Sequence, residues 1–222
     1  MFKRAFPWLE KREEPRVPGE ELIRGEKVVL REKRIQDAED DYTWRTDEEL
    51  ARLDATRPLK MSFEDFRRFS SEELDYTYPS SRRLAIETFD GVHIGNCMYY
   101  DIDVRRRQAE LGIMIGDREY LGAGYGTDSV LTLLIHIFQE TPLERVYLHT
   151  LDWNDRARRA FAKAGFRELK EVRRSGMDFV LMEINRPEWE ERRASNGADS
   201  DGDPSLPEQD PGALLGPPET RA

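Results

Sequence analysis

The sequence predicts a mixed α/β (α+β) domain, and three observations carry that reading. A run of β-rich segments broken by hairpin-type turns fills residues 83–115, which makes a meander rather than a chain of helices. A loop with glycines at alternate positions, Leu121-Gly122-Ala123-Gly124-Tyr125-Gly126-Thr127, then joins a strand to a long apolar helix. Beyond it lie a second strand–helix unit and a closing pair of strands.

The elements follow in order. Lys27 to Arg31 reads as a first strand, and Ile35 to Leu53 as a helix with Ala38, Tyr42, Leu50 and Leu53 inward, ended by Arg57-Pro58. Ser62 with Asp65 three residues later predicts an N-cap, so a helix runs from Phe63 to about Leu74. Arg83 to Phe89, the turn Asp90-Gly91 and Val92 to Tyr100 form a hairpin. A charged turn, Asp101 to Arg107, leads to a third strand, Ala109 to Ile115, and past the glycine loop a helix reaches about Gln139. Arg145 to Thr150 is another strand. Asn154 caps a helix from Asp155 to Ala164, and Gly165 stands at its C′ position. Phe166 to Val172 and Asp178 to Ile184 close the domain across Ser175-Gly176. Residues 1–21 read as a charged leader in which Phe2, Phe6 and Trp8 are docking candidates, 22–190 as the folded domain, and 191–222 as a disordered acidic tail rich in Pro and Gly.

Composition narrows the function. The chain has 222 residues, 36% of them charged, and a formal net charge of −10, which disfavours a nucleic-acid partner. Cys97 is the single cysteine, so no intramolecular disulfide forms, in keeping with a reducing, cytoplasmic setting. No run approaches the roughly 18 apolar residues of a membrane span, and no apolar stretch follows the charged N-terminus as in a secretory signal. His93, His136 and His149 are far apart without metal-ligand spacing and read as core or surface histidines, so no metal is expected. Arg105-Arg106-Arg107 reads as a solvated turn.

The glycine loop is the stretch that points to chemistry. Glycine there permits positive φ and close approach of another molecule to the main chain. Free N–H groups and the dipole of the following helix make an anion site suited to phosphate. A plain αβ connection uses glycine as well, and the spacing is that of neither a Rossmann fingerprint nor a Walker loop.

Strand, glycine loop, long helix and strand are followed by Asn154, Ala157, Phe161, Lys163, Gly165 and Phe166 in the pattern Asn-x-x-Ala-x-x-x-aromatic-x-Lys-x-Gly-Phe. This order resembles the GNAT superfamily of N-acetyltransferases, and in particular its ribosomal-protein-alanine and spermidine-type branch. Tyr42 to Asp47, Asp178 to Met182 and Pro187-Glu188-Trp189 are also similar to that branch. The resemblance implies a mixed, mostly antiparallel central sheet flanked by helices and splayed between two strands, with acetyl-CoA wedged in the gap. It implies that Leu121, Gly122, Ala123, Gly124, Tyr125, Gly126 and Thr127 hold the pyrophosphate, with Leu121 where relatives carry Gln or Arg and Ala123 where a basic residue is common. Arg118 or the cluster Arg156, Arg158 and Arg159 is available to replace that charge. Main-chain groups of Ile113, Met114 and Ile115 would pair with the pantetheine arm, and Asn154 would cap its helix and touch the cofactor.

Acetyl transfer needs a neutral amine, an oxyanion donor and a route out for the thiolate. Glu110 is the candidate base, acting through water; Asp101 and Asp103 are alternatives, or else hold a cationic substrate. Phe161 stands where many relatives place a tyrosine acid, which leaves Tyr125, Ser129, water or unaided departure of the thiolate. The expected function is acetyl-CoA-dependent transfer to a primary amine, either a small cationic amine or a protein N-terminus, by direct attack in a ternary complex. The alternative is a catalytically weak CoA-binding or regulatory module. The resemblance also allows a homodimer.

Overall fold

The computed structural model describes residues 17–76 and 78–198, so most of the expected leader and the tail beyond 198 lie outside the described residues. Eight strands form one sheet in the order β1-β2-β3-β4-β5-β6-β8-β7. They are β1 (Glu21–Arg24), β2 (Val28–Glu32), β3 (Arg82–Thr88), β4 (His93–Asp103), β5 (Gln108–Ile115), β6 (Arg145–Leu151), β7 (Arg167–Arg174) and β8 (Met177–Asn185). The helices are α1 (Ala38–Thr46), α2 (Glu48–Leu53), α3 (Phe63–Asp75), α4 (Tyr125–Glu140), α5 (Asp155–Ala164) and α6 (Arg186–Ala198). Every pairing is antiparallel except β5 with β6.

The two faces of the sheet are built differently. Leu30, Ile86, Leu84, Cys97, Tyr99 and Leu111 share one face by register and meet α4. That helix offers Val130, Leu133, Leu134, Ile137 and Phe138, the spacing of an apolar stripe, and all are buried. The opposite face carries Arg31, Asn96 and Glu110 and receives α1 through polar contacts. Arg31 donates to Asp37 at 2.8 Å, Lys33 to Asp41 at 2.7 Å and Asn96 to Asp41 at 2.6 Å. Burial alone would raise the Asp37 carboxyl; the Arg31 hydrogen bond and neighbouring cations hold it instead at about 2.

Several boundaries differ from expectation, each for a local reason. The helix expected over Ile35–Leu53 is a short 3-10 turn, α1 and α2, broken at Asp47, whose extended backbone lets its carboxylate accept from Leu50 N at 2.9 Å. β4 runs on to Asp103, pairing with Gln108, and the irregular register there coincides with Asp101 at φ 50°. β1 escaped detection because four residues are too few to show a period, and it is held by β2. α6 continues past the boundary expected at 190 to Ala198. Its first turn is fastened by Asn185 N donating to Glu188 at 3.0 Å, and Trp189 packs on Phe138 with ring centroids 5.1 Å apart. Among the described residues no helix is long and apolar enough to cross a membrane.

Candidate active site

The site begins where β5 and β6 part. Their parallel ladder holds only Gln108↔Arg145, Ala109↔Val146 and Glu110↔Tyr147. Beyond Glu110, β5 stays paired with β4 as far as Ile115, and β6 stays paired with β8 as far as Leu151. Each strand is therefore held from behind while the edges facing each other open, leaving a cleft with main-chain groups along one wall. A cavity of about 330 Å³ opens beside the freed end of β5, lined by Ile113, Met114 and Ile115 of β5, the loop, the start of α4, one face of α5, and Leu50, Leu53 and Asp54 from α2 and its end.

At the end of β5 the chain turns through Gly122 (φ 78°) and Gly124 (φ 91°), both left-handed, while Gly126 lies inside α4. Only two of the three glycines are thus demanded by backbone conformation. Gly124 precedes α4 without a side-chain cap, and Gly126 and Thr127 of the first turn line the cavity. Asp128 in the first turn would compete for that positive end, but its carboxylate is turned away. It accepts from Glu26 N (3.1 Å), Lys27 N (2.7 Å) and Val28 N (3.0 Å), clamping the β1–β2 turn onto α4. That clamp sets Lys27 over the loop: its Nζ donates to Ala123 O at 2.9 Å and lies 5.6 Å from the Tyr125 ring centre. A cation thus stands over the uncharged loop, brought from a turn 96 residues earlier in the chain.

The opposite wall is α5. Asn154 caps it, accepting from Ala157 N at 3.2 Å, and also lines the cavity, so both expected roles share one geometry. Arg156, Arg159 and Lys163 line the cavity as well, spaced for one helix face. The two other arginines are spoken for: Arg158 pairs with Glu168 (2.9 Å) and Arg118 with Asp47 (2.8 Å) and Glu49 (2.7 Å). Of the expected binding residues, Ile113, Met114, Ile115, Leu121, Gly122, Gly124, Gly126, Thr127 and Asn154 come together around the cavity. Ala123 faces Lys27 through its carbonyl, and Tyr125 packs edge-on against Tyr120, 4.9 Å between centres.

Phe161 is buried in the cavity wall and leans on Phe166, 5.9 Å between ring centres. Ser129 is no substitute acid, because it is fully buried and its hydroxyl donates to Tyr125 O at 2.7 Å. Glu110 sits at the head of the cleft with its side chain 8% exposed, and His149 Nδ1 lies 2.8 Å from its Oε1. Tyr100 faces the same carboxylate, and burial together with that charge pushes its hydroxyl pKa up. His149, read from the sequence as a core or surface histidine, thus belongs to the Glu110 cluster. Its signal was present: a parallel β5–β6 pair puts it one same-face step beyond the residue paired with Glu110. Among the described residues no group of three acidic, His or Cys side chains is arranged for a metal.

A comparison by sequence profile matches residues 27–167 to the acetyltransferase (GNAT) domain family. Solved structures share the fold. The spermidine N-acetyltransferase of Vibrio cholerae, in complex with CoA and spermine, superposes with a TM-score of 0.64 at 21% identity, covering 73% of this chain and 97% of that one. An aminoglycoside acetyltransferase in complex with coenzyme A gives 0.62 at 21% identity, covering 75% and 99%. RimJ of Mycobacterium smegmatis, in complex with CoA-disulfide, gives 0.62 at 21% identity, covering 77% and 89%. The glycine loop, the parted strands and the profile match converge: the chain belongs to the GNAT family of N-acetyltransferases.

Proposed function

We propose that the protein transfers an acetyl group from acetyl-CoA to a primary amine, a small cationic amine or a protein N-terminus, by direct attack with both substrates bound. One observation carries this reading: the cleft between β5 and β6 joins an open strand edge, an uncapped helix N-terminus and a cationic helix face. Acetyl-CoA is an extended amide arm with a pyrophosphate and a further phosphate, and these walls fit each part. The edge of Ile113, Met114 and Ile115 pairs with the arm as an added strand would. Amides after Gly124 take the pyrophosphate, with Lys27 beside them, and Arg156, Arg159 and Lys163 neutralise the remaining charge.

When bound, acetyl-CoA supplies a thioester carbonyl; a C–N bond forms to the amine as the C–S bond breaks. The chain's part is to hold, orient and deprotonate. Glu110 puts negative charge at the head of the cleft, and main-chain N–H groups of β5 face the acetyl oxygen. With Phe161 unable to donate a proton, the sulfur leaves as thiolate, tolerable for a thiol with a pKa near ~8.5. Asp101, close enough to Glu110 that both carboxylates press on Tyr100 and Tyr147, adds acidity suited to a cationic acceptor. Structures of the same fold that hold spermine, or that act on aminoglycosides, support a polyamine-like substrate.

Phe161 also favours a second reading, a CoA-binding module with little turnover. Calorimetric titration with CoA and acetyl-CoA, followed by thiol release across a panel of amines, separates the two. Micromolar binding, about −8 kcal/mol, with amine-dependent thiol release is expected. Saturable binding indifferent to every amine leaves the module, and no binding at millimolar CoA sinks both.

A further inference from the structure

We propose that His149 is the catalytic residue that takes the proton from the attacking amine, and that Glu110 acts through it as a positioning residue. This rests on the acetyltransferase reading above and moves to His149 a role for which the sequence offered Glu110, with Asp101 and Asp103 as alternatives.

The placement comes from the sheet. β5 and β6 are paired through Glu110↔Tyr147 and separate beyond it. His149 follows Tyr147 by two residues, so it returns to the same face of β6 as the first side chain of that face past the parting. Continuing that register sets it level with Gly112, one residue before Ile113, the first β5 residue that lines the cavity and the start of the edge along which the arm would run. Its side chain is 7% exposed and that of Glu110 8%, so the pair is set into the wall rather than adrift in solvent.

The chemistry comes from one hydrogen bond. His149 Nδ1 and Glu110 Oε1 are 2.8 Å apart. An ionised carboxylate can only accept, so in the neutral ring the proton sits on Nδ1 and Nε2 keeps its lone pair. A carboxylate that fixes the tautomer and rotation of an imidazole, leaving the far nitrogen as acceptor, is the general arrangement for proton abstraction at neutral pH. Glu110 itself is poorly placed for direct work. Besides His149 it has Tyr100 of β4 facing it and Arg174 of β7 3.8 Å away, so three neighbours already share its charge. Tyr147 and Arg145 on β6 and Asp101 on β4 are further charged or titratable groups of this cluster.

The proton count closes. Nε2 accepts one proton from the bound ammonium, and the amine lone pair this frees forms the C–N bond. The C–S electron pair leaves with sulfur, the second N–H proton passes to the thiolate or water, and the imidazolium returns its proton to solvent.

The test uses the full chain in four forms: native, His149→Gln, His149→Ala and Glu110→Gln. Thermal melts and calorimetric CoA binding check each for folding and an intact cofactor site. Amine-dependent thiol release with spermidine, spermine, an aminoglycoside and alanine-initiated peptides gives kcat and KM across pH. The expected result is a ~10²–10⁴-fold loss of kcat in both His149 variants, with CoA affinity unchanged and the acidic limb of the pH profile abolished. Nitrogen-15 histidine NMR gives a readout independent of turnover. Native His149 should carry its neutral-form proton on Nδ1, and Glu110→Gln should erase that preference. A native Nε2–H tautomer, or a His149→Gln enzyme with native kcat and pH profile, overturns the proposal while leaving the transferase reading intact. A native chain that binds CoA yet acetylates none of these amines defeats both.

Discussion

The two walls of the cleft offer an anion opposite kinds of contact. The wall made by β5, the glycine loop and α4 works through its backbone: its loop side chains carry no charge, and the acid of its first helical turn, Asp128, is turned onto the β1–β2 turn. The α5 wall works through its side chains, with Arg156, Arg159 and Lys163 facing the cavity. A backbone wall keeps its geometry whatever the loop side chains are, so Leu121 and Ala123 are tolerable. A side-chain wall is adjustable and screened by salt. Helix and turn thus bring positive charge to the cleft from outside a loop that carries none.

Three perturbations sharpen the contrast. The largest effect is expected on the backbone wall from Asp128→Ala, which strips three main-chain N–H groups of their acceptor and unpins the β1–β2 turn. Urea unfolding should show a loss of about 2–4 kcal/mol, since donors left unsatisfied cost more than the bond returned. Loss of under ~0.5 kcal/mol would mean that the turn is held some other way.

On the side-chain wall, the pair Arg156→Ala and Arg159→Ala should leave stability within ~0.5 kcal/mol while weakening CoA by about 1–3 kcal/mol. The dependence of CoA affinity on salt should flatten in the same titrations, and unchanged affinity would remove α5 from the cofactor site. The smallest effect distinguishes two glycines that look alike in sequence. Gly124→Ala forces a left-handed alanine with its Cβ 3.3 Å from Lys27 Nζ and should cost about 1–2 kcal/mol, seen in Tm. Gly126→Ala meets only Ile115 at 3.6 Å within a helix, so its melting should be native or slightly higher.

Much of this was legible beforehand. The caps at Ser62 and Asn154, the stop at Gly165 (φ 105°) and the turns at Gly91 and Gly176 stand where the sequence put them. Each depends on a residue and its near neighbours, and short-range chemistry survives folding. Nine of the eleven expected cofactor residues line one cavity, eight of them from within residues 113–127 and Asn154 from farther along the chain. What failed was of two kinds. The long helix expected over Ile35–Leu53 broke because Asp47 caps better than it continues, a competition that apolar spacing does not register. α6 was hidden because its early stability lies in Trp189 on Phe138 and Arg186 on the carbonyls of Thr141 and Leu143, partners more than forty residues away.

The sequence by itself determined the order of elements, the family and a loop in which glycine permits left-handed backbone. Tertiary structure decided which charges reach the site. Lys27 arrives because Asp128 clamps a distant turn, Arg156 and Arg159 because α5 turns that face inward, and His149 because parallel pairing sets β6 beside Glu110. Backbone conformation is governed by the residue that adopts it and by its immediate neighbours. Electrostatic partnership acts through space, and chain order holds no record of which distant strand comes to lie alongside.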